Sequence, residues 1–230
     1  MTRISRAISN TVSFSPSRAI ETFSHMDLAS GGGSEGGTFT VAANGDDGWV
    51  TAKSGYYSSG ISSYNSINTS ANYVSTGALL DDDNGVTDYF LAFFRFTSIN
   101  VSQGATISSA YLKLAHSGGT NNGTWRIAAL DADNASAPTS ASDMTISGWT
   151  TASVNQTNIN KDSGGSGFSA GDIFTSTDIK TVIQEIVDRG SWASGNAIVI
   201  CMGITTGQPN SLSQKKTLEG SAPAQLIINV

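Results

Sequence analysis

The sequence predicts an all-β fold, an antiparallel β-sandwich, from its composition and its pattern of short apolar runs. Only 13% of the 230 residues are charged, and 25 are Gly. Seven runs rich in β-branched and aromatic residues alternate with Gly, Asn, Asp and Ser clusters, as strands alternate with turns. The runs cover residues 38–41, 49–52, 89–96, 106–115, 124–130, 197–204 and 225–230. A chain of this length suits one such domain with a tail.

One segment, at about residues 177–189, breaks the strand pattern and predicts a helix. Its apolar residues recur at helical spacing and line one face. They are Ile179, Val182, Ile183, Ile186 and Val187. Ser176 or Thr177 can cap its start and Gly190 its end. We expect one helix of about three turns, packed on the sandwich.

Residues 1–37 predict an N-terminal arm with a Gly-rich hinge, and residues 38–230 the sandwich domain. Residues 31–37, Gly-Gly-Gly-Ser-Glu-Gly-Gly, have the composition of a flexible linker. The arm is either a partly ordered tail or an extension that lies along a neighbouring subunit. For the second interpretation the partner-binding residues are Ile4, Ile8, Phe14, Arg18 and Phe23.

The charge balance excludes two classes of partner. Lys and Arg number 12 against 18 Asp and Glu, which gives a net charge of −6. Proteins that neutralise phosphate groups carry the opposite bias, so neither nucleic acid nor an anionic membrane is expected.

The first ten residues lack the apolar stretch of a secretory signal. We therefore expect synthesis in the cytoplasm. The single cysteine, Cys201, lies in an apolar run and is predicted to pack as a small hydrophobe.

Two short serine motifs resemble fragments of hydrolase sites, but neither has the required context. They are Asp-Ser-Gly-Gly at residues 162–165 and Gly-Phe-Ser-Ala-Gly at residues 167–171. The second needs a strand before its serine and a helix after it. The histidines, His25 and His116, have no recognisable acid partner, and His116 is predicted to be solvated at a turn. Most carboxylates lie in turns, so we predict no enzymatic activity.

A calcium loop is the one metal site that the sequence suggests. In residues 81–85, Asp81, Asp83 and Gly85 partly follow a calcium-binding pattern. That pattern places an oxygen ligand at its fifth position and Glu at its twelfth, where this chain has Gly85 and Ala92. Residues 131–134, Asp-Ala-Asp-Asn, are the other candidate. No other cofactor is expected.

Aromatic residues offer platforms for sugar rings. Tyr56, Tyr57 and Tyr64 lie in a Ser- and Gly-rich stretch and are the best surface candidates. Trp49 and Trp149 are further candidates. Trp125 and Trp192 are expected in the core.

The elements from about residue 89 to residue 230 resemble a family of jelly-roll modules, akin to carbohydrate-binding modules, found in extracellular and virion proteins. The resemblance is carried by residues 94–96 (Phe-Arg-Phe), 105–114, 127–135, 150–154, the helix, 192–197 (Trp-Ala-Ser-Gly-Asn-Ala) and 222–228. It implies an antiparallel jelly-roll connectivity, and it leaves a structural calcium open. Family members bind sugars, calcium or neighbouring proteins, so it implies binding.

The leading hypothesis is a phage virion structural protein, a capsid decoration or cement protein that stabilises the shell through its arm and sandwich surface. Its partner would be the major capsid protein or another virion protein, and it would form a homo-oligomer such as a trimer. The alternative is a glycan-binding module of a tail fibre or cell-surface protein, in which Tyr56, Tyr57 and Tyr64 stack on sugars.

Overall fold

A computed structural model describes residues 35–53, 63–71, 73–81, 86–119, 123–165, 169–206, 212–215 and 222–230. These residues all belong to one compact unit. Among them, none forms a helix long and apolar enough to cross a membrane.

The described residues form twelve strands and one α-helix. The strands are β1 (Gly37–Thr40), β2 (Asp47–Lys53), β3 (Ser63–Asn68), β4 (Val74–Asp81), β5 (Val86–Phe96), β6 (Ser109–Gly119), β7 (Thr124–Ala129), β8 (Val154–Thr157), β9 (Ile173–Thr175), β10 (Ile198–Thr206), β11 (Leu212–Lys215) and β12 (Gln225–Asn229), and the helix is α1 (Lys180–Val187). All the pairs are antiparallel. The predicted all-β sandwich with one short helix is therefore confirmed.

The small sheet has the order β1-β12-β6-β9. The large sheet runs β3-β2-β5-β10-β7-β8. Strand β5 is long enough to change partner on the side away from β2: its first half pairs with β4 and its second half with β10. Strand β11 pairs with both β4 and β6 and so joins the two sheets. Jelly-roll connectivity stays a prediction.

The main core lies between the two sheets, and α1 closes it. Phe94, Phe96, Leu112 and Trp125 are at most 1% exposed there. The five apolar positions of the helical pattern are all buried in this core, as the spacing predicted. The helix itself is shorter than predicted, since it begins at Lys180.

The residues expected to cap the helix have other positions. Ser176 and Thr177 precede α1 in an extended segment, and the Asp178 carboxylate accepts the Lys180 N–H at 2.9 Å. At the other end, Gly190 does not adopt the left-handed φ of a C-cap glycine. The helix is shortened because its expected first turn follows β6 instead.

A second apolar cluster lies on the outer face of the large sheet. Val199 and Cys201 point into it while Ile198, Ile200 and Met202 point into the main core. Residues 130–150 cover the cluster with Met144 and Trp149, and Trp149 Nε1 donates to the Met144 carbonyl at 3.2 Å. Because both faces of β10 are buried, its sequence is apolar without alternation. Cys201 is fully buried, as predicted, and burial raises the pKa of its thiol.

Ion pairs and hydrogen bonds fasten this covering segment at its rims. Arg95 donates to the Ala135 carbonyl at 2.8 Å and to the Asp46 carboxylate at 2.7 Å. Further along, Asp143 accepts the backbone N–H groups of Thr139 and Ser140 at 2.8 and 2.9 Å. These two bonds lower the pKa of Asp143 below its usual value.

Replacing Asp143 by Ala should destabilise the protein at neutral pH and leave it unchanged in acid. The folded-state pKa of Asp143 is lowered, so its contribution is present above the unfolded-state pKa and disappears as pH falls through the lower folded value. Losing a cap of this kind costs about 1 kcal/mol. Denaturant unfolding of both proteins at pH 7 and near pH 2 measures the difference, and a constant difference across this range would contradict the assignment.

Candidate functional site

The two edges of the small sheet differ, and this difference defines the candidate site. On the side of β6 away from β12, residues 171–188 close the sheet, and they include the short strand β9. Ser176 pairs with Leu112 as a strand residue would: the Leu112 N–H donates to Ser176 Oγ and the Ser176 N–H to the Leu112 carbonyl, both at 2.9 Å. The His116 N–H donates to the Asp172 carbonyl at 2.7 Å. The edge of β6 is thereby saturated.

Two more side chains extend this closure towards the start of β6. Asp178 accepts the Ala110 N–H at 2.9 Å. The Gln184 amide, on α1, accepts the Ile107 N–H at 2.8 Å and donates to the Ala105 carbonyl at 2.9 Å, so it replaces a peptide group of a neighbouring strand. An edge covered in this way cannot accept another strand.

The opposite edge is β1, which pairs only with β12 within the described part of the chain. The Val41 N–H donates to the Ala224 carbonyl at 3.0 Å, on the β12 side. Backbone groups of successive strand residues point to opposite sides, so Gly37 and Phe39 face β12 as Val41 does. The N–H and C=O groups of Thr38 and Thr40 therefore point away from β12, in the direction from which a strand could add.

The chain reaches β1 along a fixed path. A Cβ on Gly36 would lie 2.3 Å from the Ile228 carbonyl oxygen, so only glycine allows this approach. Before it, the Glu35 carboxylate accepts Asn100 Nδ2 at 3.1 Å. These contacts hold Glu35 and Gly36 in place directly before β1.

The outer face of the small sheet also carries a groove of about 280 Å3. It is lined by Lys113, Leu114, Ala115, Ile173, Ala222, Pro223 and Gln225. Tyr111 and Ile227 are partly exposed on the same face, where they pair across β6 and β12. The groove thus combines apolar walls with an ammonium and an amide group.

The second calcium candidate is occupied by a side chain of the protein. Arg189 Nη1 contacts Asp131, and Arg189 Nε donates to Asp133 at 2.8 Å. Asn134 Oδ1 accepts the Ala197 N–H at 2.9 Å, so it too has a structural partner. These contacts tie the turn after β7 to the end of α1. In the described part of the chain, no cluster of three His, Cys, Asp or Glu side chains could hold a metal ion.

Residues 162–165 of the first serine motif and residues 169–171 of the second lie in turns, while Gly167 and Phe168 lie outside the described residues. The Asp162 carboxylate accepts the Thr175 N–H and hydroxyl, both at 2.8 Å, and holds its loop against β9. The Ser169 N–H donates to Asp172 at 2.8 Å, and Gly171 follows with a positive φ. In the described residues on either side of the second motif, neither the strand nor the helix that it needs directly adjoins it.

One histidine prediction is wrong. His116 is 4% exposed and lies within β6, because the strand continues to Gly119 where the sequence suggested a turn. Trp125 and Trp192 are buried as predicted, and Trp49 and Trp149 are buried as well, so none of the four is a sugar platform.

Several predicted site residues lie outside the described residues. They are the arm residues Ile4, Ile8, Phe14, Arg18 and Phe23, together with Tyr56, Tyr57 and Asp83. Asp81 and Tyr64 lie in β4 and β3, and the structure describes only their backbone. The β1 edge was not predicted as distinct from its neighbours. The alternation in residues 37–40 was the available signal, but pairing decides which strand is outermost.

Ser176→Ala should cost about 1–3 kcal/mol of unfolding free energy, because it leaves the buried Leu112 N–H without an acceptor. Thr177→Ala is the matched control: its side chain is exposed, so a change within about 0.5 kcal/mol is expected. Urea unfolding of the two variants measures both values. Equal effects would show that the hydroxyl does not stabilise the β6 edge.

Two comparisons with known proteins find no similar family or protein. A scan against protein-family models finds no match, and a search of the curated proteins finds none either. The functional proposal therefore depends on the sheet edges, the groove and the sequence.

Proposed function

We propose that the protein is a phage virion structural protein, a capsid decoration protein that docks through its arm and the β1 edge of the small sheet. The carrying observation is the contrast between the two edges. The β6 edge is saturated by Ser176, Asp178 and Gln184, whereas β1 presents the backbone of Thr38 and Thr40. Adding an extended segment to such an edge is a common way of binding proteins.

The connection between the arm and β1 supports this proposal. The chain enters β1 directly from the arm through Glu35 and Gly36, so the two candidate docking elements are adjacent. A short strand pair contributes little on its own, because each cross-strand pair adds several tenths of a kcal/mol. Repetition around a symmetric oligomer on a shell multiplies such contacts. We propose a homo-oligomer for this reason, with the major capsid protein or another virion protein as its partner.

The carboxylates support a non-enzymatic protein. A glycosidase needs two carboxyl groups that face each other across a cleft. In the described residues, Asp131 and Asp133 bind Arg189, and Asp46 binds Arg95. The Glu185 carboxylate accepts the backbone N–H groups of Thr151 and Ala152 at 2.8 and 2.6 Å. Acids with such structural partners are held in place by the fold and serve its stability.

Deleting residues 1–30 should abolish binding to the particle without unfolding the sandwich, because Glu35, Gly36 and strand β1 keep their contacts. Thr38→Pro should weaken binding as well, since it removes an N–H at the open edge without removing a bond to β12. Thr38→Val keeps that N–H and is the matched control.

Co-sedimentation with particles that lack the protein measures occupancy, and thermal unfolding of each variant checks the fold. Full occupancy by the truncated protein would refute docking through the arm. Equal binding by the Pro and Val variants would remove β1 from the docking surface.

The groove favours a second candidate function, a glycan-binding module of a tail fibre or cell-surface protein. Its volume of about 280 Å3 is near the lower end for small-molecule sites. Lys113 and Gln225 supply hydrogen-bonding groups, and Ile173 and Pro223 supply apolar walls. Tyr111, on the same sheet face, offers an aromatic ring.

A glycan array with three proteins tests this candidate. If the groove binds sugar, Gln225→Ala should lose about tenfold in affinity for a bound glycan, as expected for one lost polar contact. A variant with Tyr56, Tyr57 and Tyr64 replaced by Ala should bind as the wild-type protein does. If the tyrosine variant loses binding and Gln225→Ala does not, the sugar site lies at the tyrosines. An array without any signal would exclude the glycan-binding function and leave only the decoration function.

A further inference from the structure

The β1 edge has a definite chemical pattern, set by its register with β12. Thr38 and Thr40 pair with Ile227 and Gln225, so their side chains lie on the outer face. Gly37 and Phe39 pair with the buried Ile228 and Leu226 and lie on the inner face. Phe39 packs against the main core. A Cβ on Gly37 would meet only the Phe39 ring, at 3.9 Å, so there is room beside this glycine for a large side chain.

A strand that completes this edge must alternate in the same way. It needs polar residues opposite Thr38 and Thr40, an apolar residue opposite Phe39 and a bulky one opposite Gly37. Residues 11–14 of the arm, Thr-Val-Ser-Phe, have this alternation and are followed by Pro16, which ends a strand.

We infer that residues 11–14 of a second copy of the chain add to β1 as an antiparallel strand. In the register that places Phe14 opposite Gly37, Ser13 faces Thr38, Val12 faces Phe39 and Thr11 faces Thr40. Thr with Ser or Thr, and aromatic with β-branched residues, are favourable cross-strand pairs. A phenylalanine beside an edge glycine covers the backbone that the glycine exposes. The segment therefore satisfies all four positions of the edge.

The length of the arm points to a second copy as the donor. Twenty-two residues, 15–36, connect the segment to Gly37 and span up to about 75 Å when extended, more than the width expected of a sandwich of this size. Covering its own edge would need only a small part of this length. Ile4, Ile8 and Ile20 lie on both sides of the segment and would add apolar contacts on the neighbour. Charge also favours the contact, because residues 1–34 carry +1 and the remainder carries −7.

The inference rests on the proposed function in taking β1 as the docking edge, and it names the partner at that edge. Each copy donates one arm and accepts one, which is a heterologous contact. Such contacts close into a ring when the rotation between copies permits it.

Two matched variants test the exchange in the free protein. Phe14→Ser and Phe23→Ser remove the same apolar side chain from the arm, but only Phe14 belongs to the proposed strand. Sedimentation velocity over a range of concentrations should show that the wild-type and Phe23→Ser proteins associate, with Phe14→Ser weakened by on the order of tenfold or more. A wild-type protein that stays monomeric at every concentration, or equal behaviour of the two variants, would overturn the inference.

Amide hydrogen exchange at Thr38 and Thr40 supplies a direct readout of the edge. In the wild-type protein these two amides should become protected as concentration rises, whereas Phe14→Ser should leave them at the rates of a chain lacking residues 1–34. Protection that does not depend on concentration would place the segment on its own sandwich and overturn the assignment to a second copy.

The outcome is separable from that of the proposed function. Association that depends on Phe14 in a protein that does not bind particles would keep the inference and refute the decoration function. If particle binding requires the arm but association of the free protein is unaffected by Phe14→Ser, the decoration function is kept and the inference is refuted.

Discussion

The structure depends on one constraint, that the backbone groups of β6 need partners on both sides. Strand β12 supplies one side. On the other side of β6, the described part of the chain provides the three-residue strand β9, which is too short to follow β6 along its length. The Ser176 hydroxyl and the Asp178 carboxylate supply the remaining acceptors, and the backbone N–H groups of Ser176 and Ile179 supply donors. Because the same segment leads into α1, closing this edge also places the helix over the core.

The large sheet follows from a different requirement, the burial of both its faces. Strand β10 sends alternate side chains into the main core and into the second cluster, so it needs a cover on the outer face. Residues 130–150 provide this cover with irregular backbone. Arg95 and Arg189 then hold the cover at two points, through the Ala135 carbonyl and the Asp133 carboxylate. These two arginines therefore lie where irregular segments meet the large sheet.

The sequence predicted the strands that are rich in β-branched and aromatic residues, and it missed five others, among them the eight-residue β4. All seven predicted runs form strands, because their β-branched and aromatic content is high. The five missed strands include β3, Ser-Tyr-Asn-Ser-Ile-Asn, and β11, Leu-Ser-Gln-Lys, whose composition is that of a turn. Pairing with β2 and β4 decides their conformation, and pairing is not encoded locally. For the same reason the sequence showed an arm and a first strand but not the open edge, which exists only once β12 and the β6 closure are in place.

The antiparallel pairing of β1 with β12 has a mechanical consequence. Gly37 lies opposite Ile228, so the arm leaves the sheet at the end where the last strand finishes. A force on the arm perpendicular to the strands would open the four pairs one after another at low load, beginning with Gly37 and Ile228. A force along the strand, as from a neighbour holding the arm while the body is anchored elsewhere, would strain all four together. The resistance of such a link would therefore depend on the direction of pulling.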